Sequence, residues 1–232
     1  MNYRLEIAPD RETSVKAETV QGEVQGLAVL AHGLANNLDL PLLVQTARAL
    51  ADKGVIAVRF NFLYREKGLD RPDSEKMLLT CLTRVAEDAL ARFGVGESCL
   101  ILGGKSLGAR ISALAAGSGF PTIGLFHLGF PLHPPGRPEL SREELLKKVG
   151  PKPQIFFTGT RDPLCPVDSL KSVIKNLPGP TALHVIEEGD HSFRLPAERR
   201  GEEEQVRNHI AAQTAGWVGQ VLSGTAPEER II

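Results

Sequence analysis

Cys99-Leu100-Ile101-Leu102-Gly103-Gly104-Lys105-Ser106-Leu107-Gly108 runs from an apolar stretch into a serine bracketed by glycines. Ala109, Ala113, Ala115 and Ala116 follow at the spacing of a small-residue helix. This is G-x-S-x-G in a strand–turn–helix setting, the pattern of a nucleophile elbow. A serine on so sharp a turn leaves no room for side chains two residues to either side, hence glycine at 104 and 108. The turn lifts the Ser106 hydroxyl clear of the sheet and sets it at a helix N-terminus, where free N–H groups and the helix dipole favour negative charge.

The motif alone is weak. With 23 glycines in 232 residues, a chance G-x-S-x-G has a probability of roughly 0.1. A glycine-rich βα turn with a capping serine would look the same. Two nucleotide motifs also border on it, and both fail. G-x-x-x-x-G-K-[ST] ending at Ser106 needs glycine at 99, which is Cys99. G-x-G-x-x-G started at Gly103 meets Lys105, and started at Gly104 meets Ser106.

Working outward, short apolar runs alternate with helical patterns. Strands are expected at 3–8, 17–22, 26–31, 55–60, 98–102, 122–127, 154–158 and 182–187. Helices are expected at 40–53, 74–93, 106–117, 141–149, 167–177 and 203–222. From residue 26 onward the strands are continuously apolar, as expected when both faces are covered. Such alternation gives a mostly parallel sheet with right-handed crossovers. The first two strands have no helix between them and are expected to pair as an antiparallel edge. No internal repeat or linker interrupts residues 1–222, which read as one domain; Ser223 to Ile232 read as a frayed, disordered tail.

Composition narrows the class. The chain is 42% hydrophobic with a net charge of −1, which suits one globular domain burying roughly 70–75% of its chain surface. There is no basic stripe for nucleic acid. No positive n-region precedes an apolar h-region, and no apolar run approaches the roughly 20 residues that span a bilayer. No membrane or nucleic-acid partner is expected. Cys81, Cys99 and Cys165 are widely spaced and odd in number, which fits free thiols in a reducing cytoplasm and leaves no metal-site spacing.

In a sheet of this type, functional groups follow the carboxyl ends of strands. After 154–158 comes Thr158-Gly159-Thr160-Arg161-Asp162-Pro163, and after 182–187 comes Glu187-Glu188-Gly189-Asp190-His191-Ser192-Phe193. Ser106, Asp162 and His191 then form a nucleophile, an orienting acid and a base. Their chain order is that of α/β-hydrolases. Asp190 competes with Asp162, but a side chain next to His191 in an extended loop points away from it. Leu107, the residue after the nucleophile, supplies one oxyanion N–H. The loop Ala31-His32-Gly33-Leu34-Ala35-Asn36 supplies the other, through Leu34. His32 reads either as a second base or as a residue ordering that loop. Lys105 and His133 stand as candidates for the pocket mouth, against the alternative of solvated loop side chains.

These residues resemble the α/β-hydrolase superfamily and, within it, the dienelactone-hydrolase-like group. The nearer resemblance is to a small α/β-hydrolase-like branch that includes a testis-expressed mammalian protein and a subunit of a histone-acetyltransferase complex. It rests on Ala31-His32-Gly33, Arg59-Phe60-Asn61-Phe62, Glu66-Lys67-Gly68, Gly103 through Arg110, Leu128 through Gly136, Gly159-Thr160-Arg161-Asp162 and Gly189 through Phe193. The chain departs from that branch at Leu34-Ala35-Asn36-Asn37, where the branch has a glycine-rich turn. The resemblance implies an eight-stranded α/β-hydrolase fold with Ser106, Asp162 and His191 as the triad.

The function expected is a serine hydrolase cleaving a small ester, thioester or related acyl bond of a small-molecule substrate, without cofactor or metal. A non-catalytic interaction module on the same fold and an acyltransferase using the same triad are the alternatives. The segment after the sixth strand is too short for a cap domain, so the site is expected to be open. The oligomeric state stays open.

Overall fold

The computed structural model describes residues 1–225 and the backbone of residues 230 and 231. Of the tail expected to fray, residues 226–229 and 232 lie outside the described residues.

The amino-terminal hairpin is built from β1 (Asn2–Ala8) and β2 (Arg11–Glu18). Here the expected strand at 17–22 is corrected to 11–18. Asp10, with φ of 59°, reverses the chain so that Ala8 pairs with Arg11. Thr13, Val15 and Ala17 then alternate inward along β2. Those three residues among polar neighbours made too faint an apolar signal to mark the strand.

The remainder alternates: β3 (Gly26–Ala31), α1 (Pro41–Ala51), β4 (Val55–Phe60), a single turn α2 (Leu63–Glu66) and α3 (Glu75–Phe93). Next come β5 (Leu100–Lys105), α4 (Leu107–Gly117), β6 (Gly124–Leu128), α5 (Glu143–Lys148) and β7 (Gln154–Gly159). Then follow α6 (Val167–Ile174), β8 (Thr181–Ile186), α7 (Glu203–Leu222) and a two-residue strand, β9 (Arg230–Ile231). The boundaries of α3 follow from its ends. Ser74 accepts a hydrogen bond from the Met77 N–H at 3.3 Å, and Gly94, at φ of 65°, takes the left-handed turn that stops the helix.

The sheet runs β1-β2-β4-β3-β5-β6-β7-β8-β9. β2 is antiparallel to both β1 and β4, and the pairs from β3–β4 to β8–β9 are parallel. Both faces are apolar. Leu27 and Val29 of β3 pack with Leu82, Val85 and Ile111 on one side. Ala28 and Leu30 pack with Leu43, Leu50 and Trp217 on the other. That is why β3 reads as an unbroken hydrophobic run. β3 lies between β4 and β5, so the chain reverses its direction of travel across the sheet there. The crevice above such a switch point is where open α/β sheets bind ligands, and Ser106 follows β5 at that point. Between β6 and β7 the described residues build only a proline-rich loop and the short α5, not a cap domain.

Candidate active site

Ser106 is the residue between β5 and α4, with φ of 51° and ψ of −109°. A non-glycine residue in this region carries backbone strain of about 1–3 kcal/mol and persists only where its surroundings enforce it. The enforcing contacts are visible. A Cβ on Gly104 or on Gly108 would lie 2.1 Å from the carbonyl oxygen of Ala31. The elbow therefore presses directly on the end of β3, and only glycine fits at either position. The Ser106 N–H donates to the Leu128 carbonyl at 3.2 Å. Leu107 is the first residue of α4, so its N–H has no acceptor within the helix.

Asp162 sits in the loop after β7. Its N–H donates to the Gly159 carbonyl, and its Oδ1 accepts from the Leu164 N–H at 2.8 Å. Thr158 closes the loop by donating to the Cys165 carbonyl at 2.9 Å. The Asp162 side chain is wholly buried and its Oδ2 lies 2.8 Å from His191 Nδ1. His191 Nε2 in turn lies 2.8 Å from Ser106 Oγ. A carboxylate only accepts, so Nδ1 carries the proton toward Asp162 and the Nε2 lone pair faces the hydroxyl. Three residues from three strand ends thus form one hydrogen-bonded relay, arranged to take a proton from Ser106.

Asp190 is occupied elsewhere. Its Oδ1 accepts from the N–H groups of Ser192 and Arg194 at 2.7 and 2.9 Å, closing the turn that carries His191. Within the same turn Phe193, at φ of 61°, folds its ring into the core.

The loop after β3 passes over the elbow: a Cβ on Gly33 would lie 3.5 Å from the Lys105 carbonyl oxygen. Leu34 is at the tip, 45% exposed, and its carbonyl accepts from the Tyr64 hydroxyl at 2.6 Å. His32 is placed differently from a pocket residue. Its Nδ1 donates to the Gly33 carbonyl at 2.7 Å and its Nε2 accepts from the Phe62 N–H at 3.0 Å. Burial pushes its pKa down to about 4, so it is a neutral brace for the loop with no nitrogen left for a substrate. His133 is mostly buried as well, and its Nδ1 donates to the Pro134 carbonyl at 2.9 Å. Lys105 is not a solvated loop side chain. It is 3% exposed, and desolvation lowers its pKa to about 8 against the opposing pull of Asp162 and Asp190.

Sequence reasoning assigned no role to the residues that fasten the β3–α1 loop. Arg59 donates to the Leu38 carbonyl at 2.6 Å, and Asn61 Oδ1 accepts from the Leu38 N–H at 2.8 Å. Asn61 is held in turn by Glu66 at 2.8 Å. Their signal was present: a charged and a polar residue in Arg59-Phe60-Asn61-Phe62 fall at a strand's carboxyl end, beside the loop of the preceding strand.

Among the described residues no cluster of three or more His, Cys, Asp or Glu could hold a metal ion. None of their helices is long and apolar enough to cross a membrane.

A strained serine after the central strand, with the sheet order and the relay above it, defines an α/β-hydrolase type of fold. The chain belongs to the α/β hydrolase domain family, whose model matches residues 24–219. Solved structures agree on the fold. An α/β serine hydrolase homologue from Coxiella burnetii is 19% identical, with 92% of this chain and 96% of that chain covered and a TM-score of 0.73. A lidless α/β serine hydrolase from Xanthomonas campestris is 20% identical, with 99% and 97% covered and a TM-score of 0.71. A dienelactone hydrolase from Anabaena variabilis is 17% identical, with 91% and 95% covered and a TM-score of 0.70.

Proposed function

We propose that the protein is a serine hydrolase that cleaves a small ester, thioester or related acyl bond. The observation that carries this is the unbroken relay from Ser106 Oγ to His191 Nε2 and from His191 Nδ1 to Asp162, each step 2.8 Å. His191 takes the hydroxyl proton as Ser106 attacks the carbonyl carbon. Asp162 stabilises the imidazolium that forms. The oxyanion rests on the N–H groups of Leu107 and Leu34. The imidazolium returns its proton to the departing alcohol or thiol, leaving an acyl-serine. Water, deprotonated by His191, then attacks that ester and releases the acid. No step needs a metal or cofactor.

The substrate in this reading is a small molecule, and the place of action is the cytoplasm, where the free thiols of Cys81, Cys99 and Cys165 would stay reduced. The lysine inside the elbow and Leu132-His133-Pro134-Pro135 support kinship with the small α/β-hydrolase-like branch described above.

The test is covalent labelling. A fluorophosphonate probe is expected to label the wild-type protein at pH 7–9, and Ser106→Ala is expected to abolish labelling together with turnover of short acyl esters. Loss of a nucleophile in such a relay costs on the order of 10⁶ in turnover. A wild-type protein that stays unlabelled would instead be an interaction module on a hydrolase fold.

A further inference from the structure

A cavity of about 220 Å³ opens between the β3–α1 loop and the turn that follows His191. Its walls include Lys105, Arg194, Arg207, Glu203, Asn36 and Ser192. Three cations thus face one carboxylate. That carboxylate is already engaged: Glu203 accepts from the Leu195 N–H at 3.2 Å and lies 4.0 Å from Arg207.

Lys105 is the unusual member. Its stem runs beneath Gly33, and its ammonium lies 5.7 Å from the centre of the Phe193 ring. Among the described residues it has no hydrogen-bond partner, and only the charges of Asp162 and Asp190 oppose its desolvation. Neither carboxylate hydrogen-bonds to it: Asp162 accepts from His191 and Leu164, and Asp190 accepts through Oδ1 from Ser192 and Arg194. The Arg207 Nε is buried without a hydrogen-bond partner, while the rest of its guanidinium pairs with Glu203. A buried cation with no partner is costly, and charges in protein interiors are ordinarily paired.

The backbone adds to the same field. Leu40, Pro41 and Leu42 line the cavity at the start of the eleven-residue α1. No side chain caps that helix, and Pro41 has no N–H, so the N–H groups at Leu42 and Leu43 have no intrahelical acceptor. One helix N-terminus and three cationic side chains border one small space.

We propose that this cavity is a binding subsite for a carboxylate or phosphate group, with the Lys105 ammonium as its buried counter-charge. Pockets for drug-sized ligands begin at about 300 Å³, so this one suits a charged group with a few attached atoms. Lys105 precedes Ser106 and Ser192 follows His191 in the chain, so the cavity borders the segments that carry the reacting groups. The subsite stands apart from the proposed hydrolysis; only the assignment of its occupant to the substrate rests on that reading.

The experiment begins with calorimetric titration of inorganic phosphate and of acetate into wild-type protein in low-salt buffer at pH 7. The Lys105→Met and Arg207→Gln proteins are titrated alongside. Saturable binding is expected in the wild type, weakened at least about tenfold in Arg207→Gln and lost in Lys105→Met. Without anion, Lys105→Met is expected to melt higher than the wild type, because an apolar chain of similar volume replaces an unpaired buried charge; that also shows the variant is folded. Wild-type protein that does not bind either anion, or Lys105→Met protein that binds them equally, overturns the subsite. A second arm compares kcat/KM for monomethyl succinate and for methyl butyrate. A preference for the charged ester that Lys105→Met removes assigns the anionic group to the substrate. Equal values beside intact phosphate binding support the subsite with a free anion as its occupant. Failure of the hydrolase reading, seen as absence of labelling, leaves the phosphate titration fully informative.

Discussion

Gly159 and Gly189 meet backbone to backbone: a Cβ on Gly159 would lie 2.0 Å from the carbonyl oxygen of Gly189. The two loops are woven together at this contact. Arg161 donates its N–H to the same Gly189 carbonyl at 2.9 Å, and the Glu188 N–H donates to the Thr160 hydroxyl at 2.8 Å. The contact sets the spacing between the loop that carries Asp162 and the loop that carries His191.

Gly159→Ala is therefore expected to damage the relay from outside it. The added methyl group meets backbone and has no flexible side chain to push aside, so the loops must separate. Overpacking of this kind costs about 1–3 kcal/mol of stability. A displacement near 1 Å in a reacting group costs on the order of 10² in rate. Urea unfolding and the rate of fluorophosphonate labelling measure the two effects; an unchanged labelling rate would show that the contact does not control the relay.

Asp162 and Asp190 are expected to separate cleanly. Asp162→Asn keeps an oxygen for the Leu164 N–H and should fold, yet it favours the wrong imidazole tautomer, with a loss of roughly 10⁴ in turnover. Asp190→Asn keeps the oxygen that Ser192 and Arg194 donate to and should lose far less. Steady-state turnover of a p-nitrophenyl ester by both variants decides it. A greater loss in Asp190→Asn would reverse their roles.

Acyl-chain preference should level off early. With no cap domain among the described residues, a long chain finds few apolar walls, whereas each fully buried methylene would gain about 0.8 kcal/mol. Values of kcat/KM for p-nitrophenyl acetate, butyrate, octanoate and laurate, taken below their micellar limits, should stop rising beyond about four acyl carbons. A steady climb to laurate would reveal a deep apolar tunnel.

Acid should destabilise the fold through buried histidines that are not in the relay. Burial holds His32 and His127 neutral and lowers each pKa from 6.5 to about 4. A base whose pKa falls on folding binds fewer protons folded than unfolded. Its contribution is complete above pH 6.5 and is lost as pH falls through that value toward 4, by about 3 kcal/mol per histidine. Urea unfolding at pH 7, 6, 5 and 4 measures the slope. His127→Gln, which keeps an amide partner for Gln154, should make the slope shallower, with His32 and His184, whose pKa burial also lowers, carrying the remainder. A slope unchanged in that variant would place the titration elsewhere.

Much of this protein follows from local sequence. The parallel strands from β3 onward, the helix stopped at Gly94 and the elbow at Ser106 each have short-range causes: continuous apolar runs, a left-handed glycine, and a turn that tolerates no Cβ at 104 or 108. The chain order of Ser106, Asp162 and His191 is likewise plain along the sequence. Tertiary structure decided the rest. The choice between Asp162 and Asp190 depends on which carboxyl group the turn at Ser192–Arg194 consumes. Whether Lys105 is solvated or buried depends on Gly33 and Phe193 closing over it. Whether His32 faces a substrate or braces a loop depends on the Phe62 N–H arriving from another strand. Local pattern specifies backbone conformation because sterics and hydrogen bonding act between near neighbours. The partner of a polar side chain, and with it its charge and its exposure, is set by groups that only the folded sheet brings within about 3 Å.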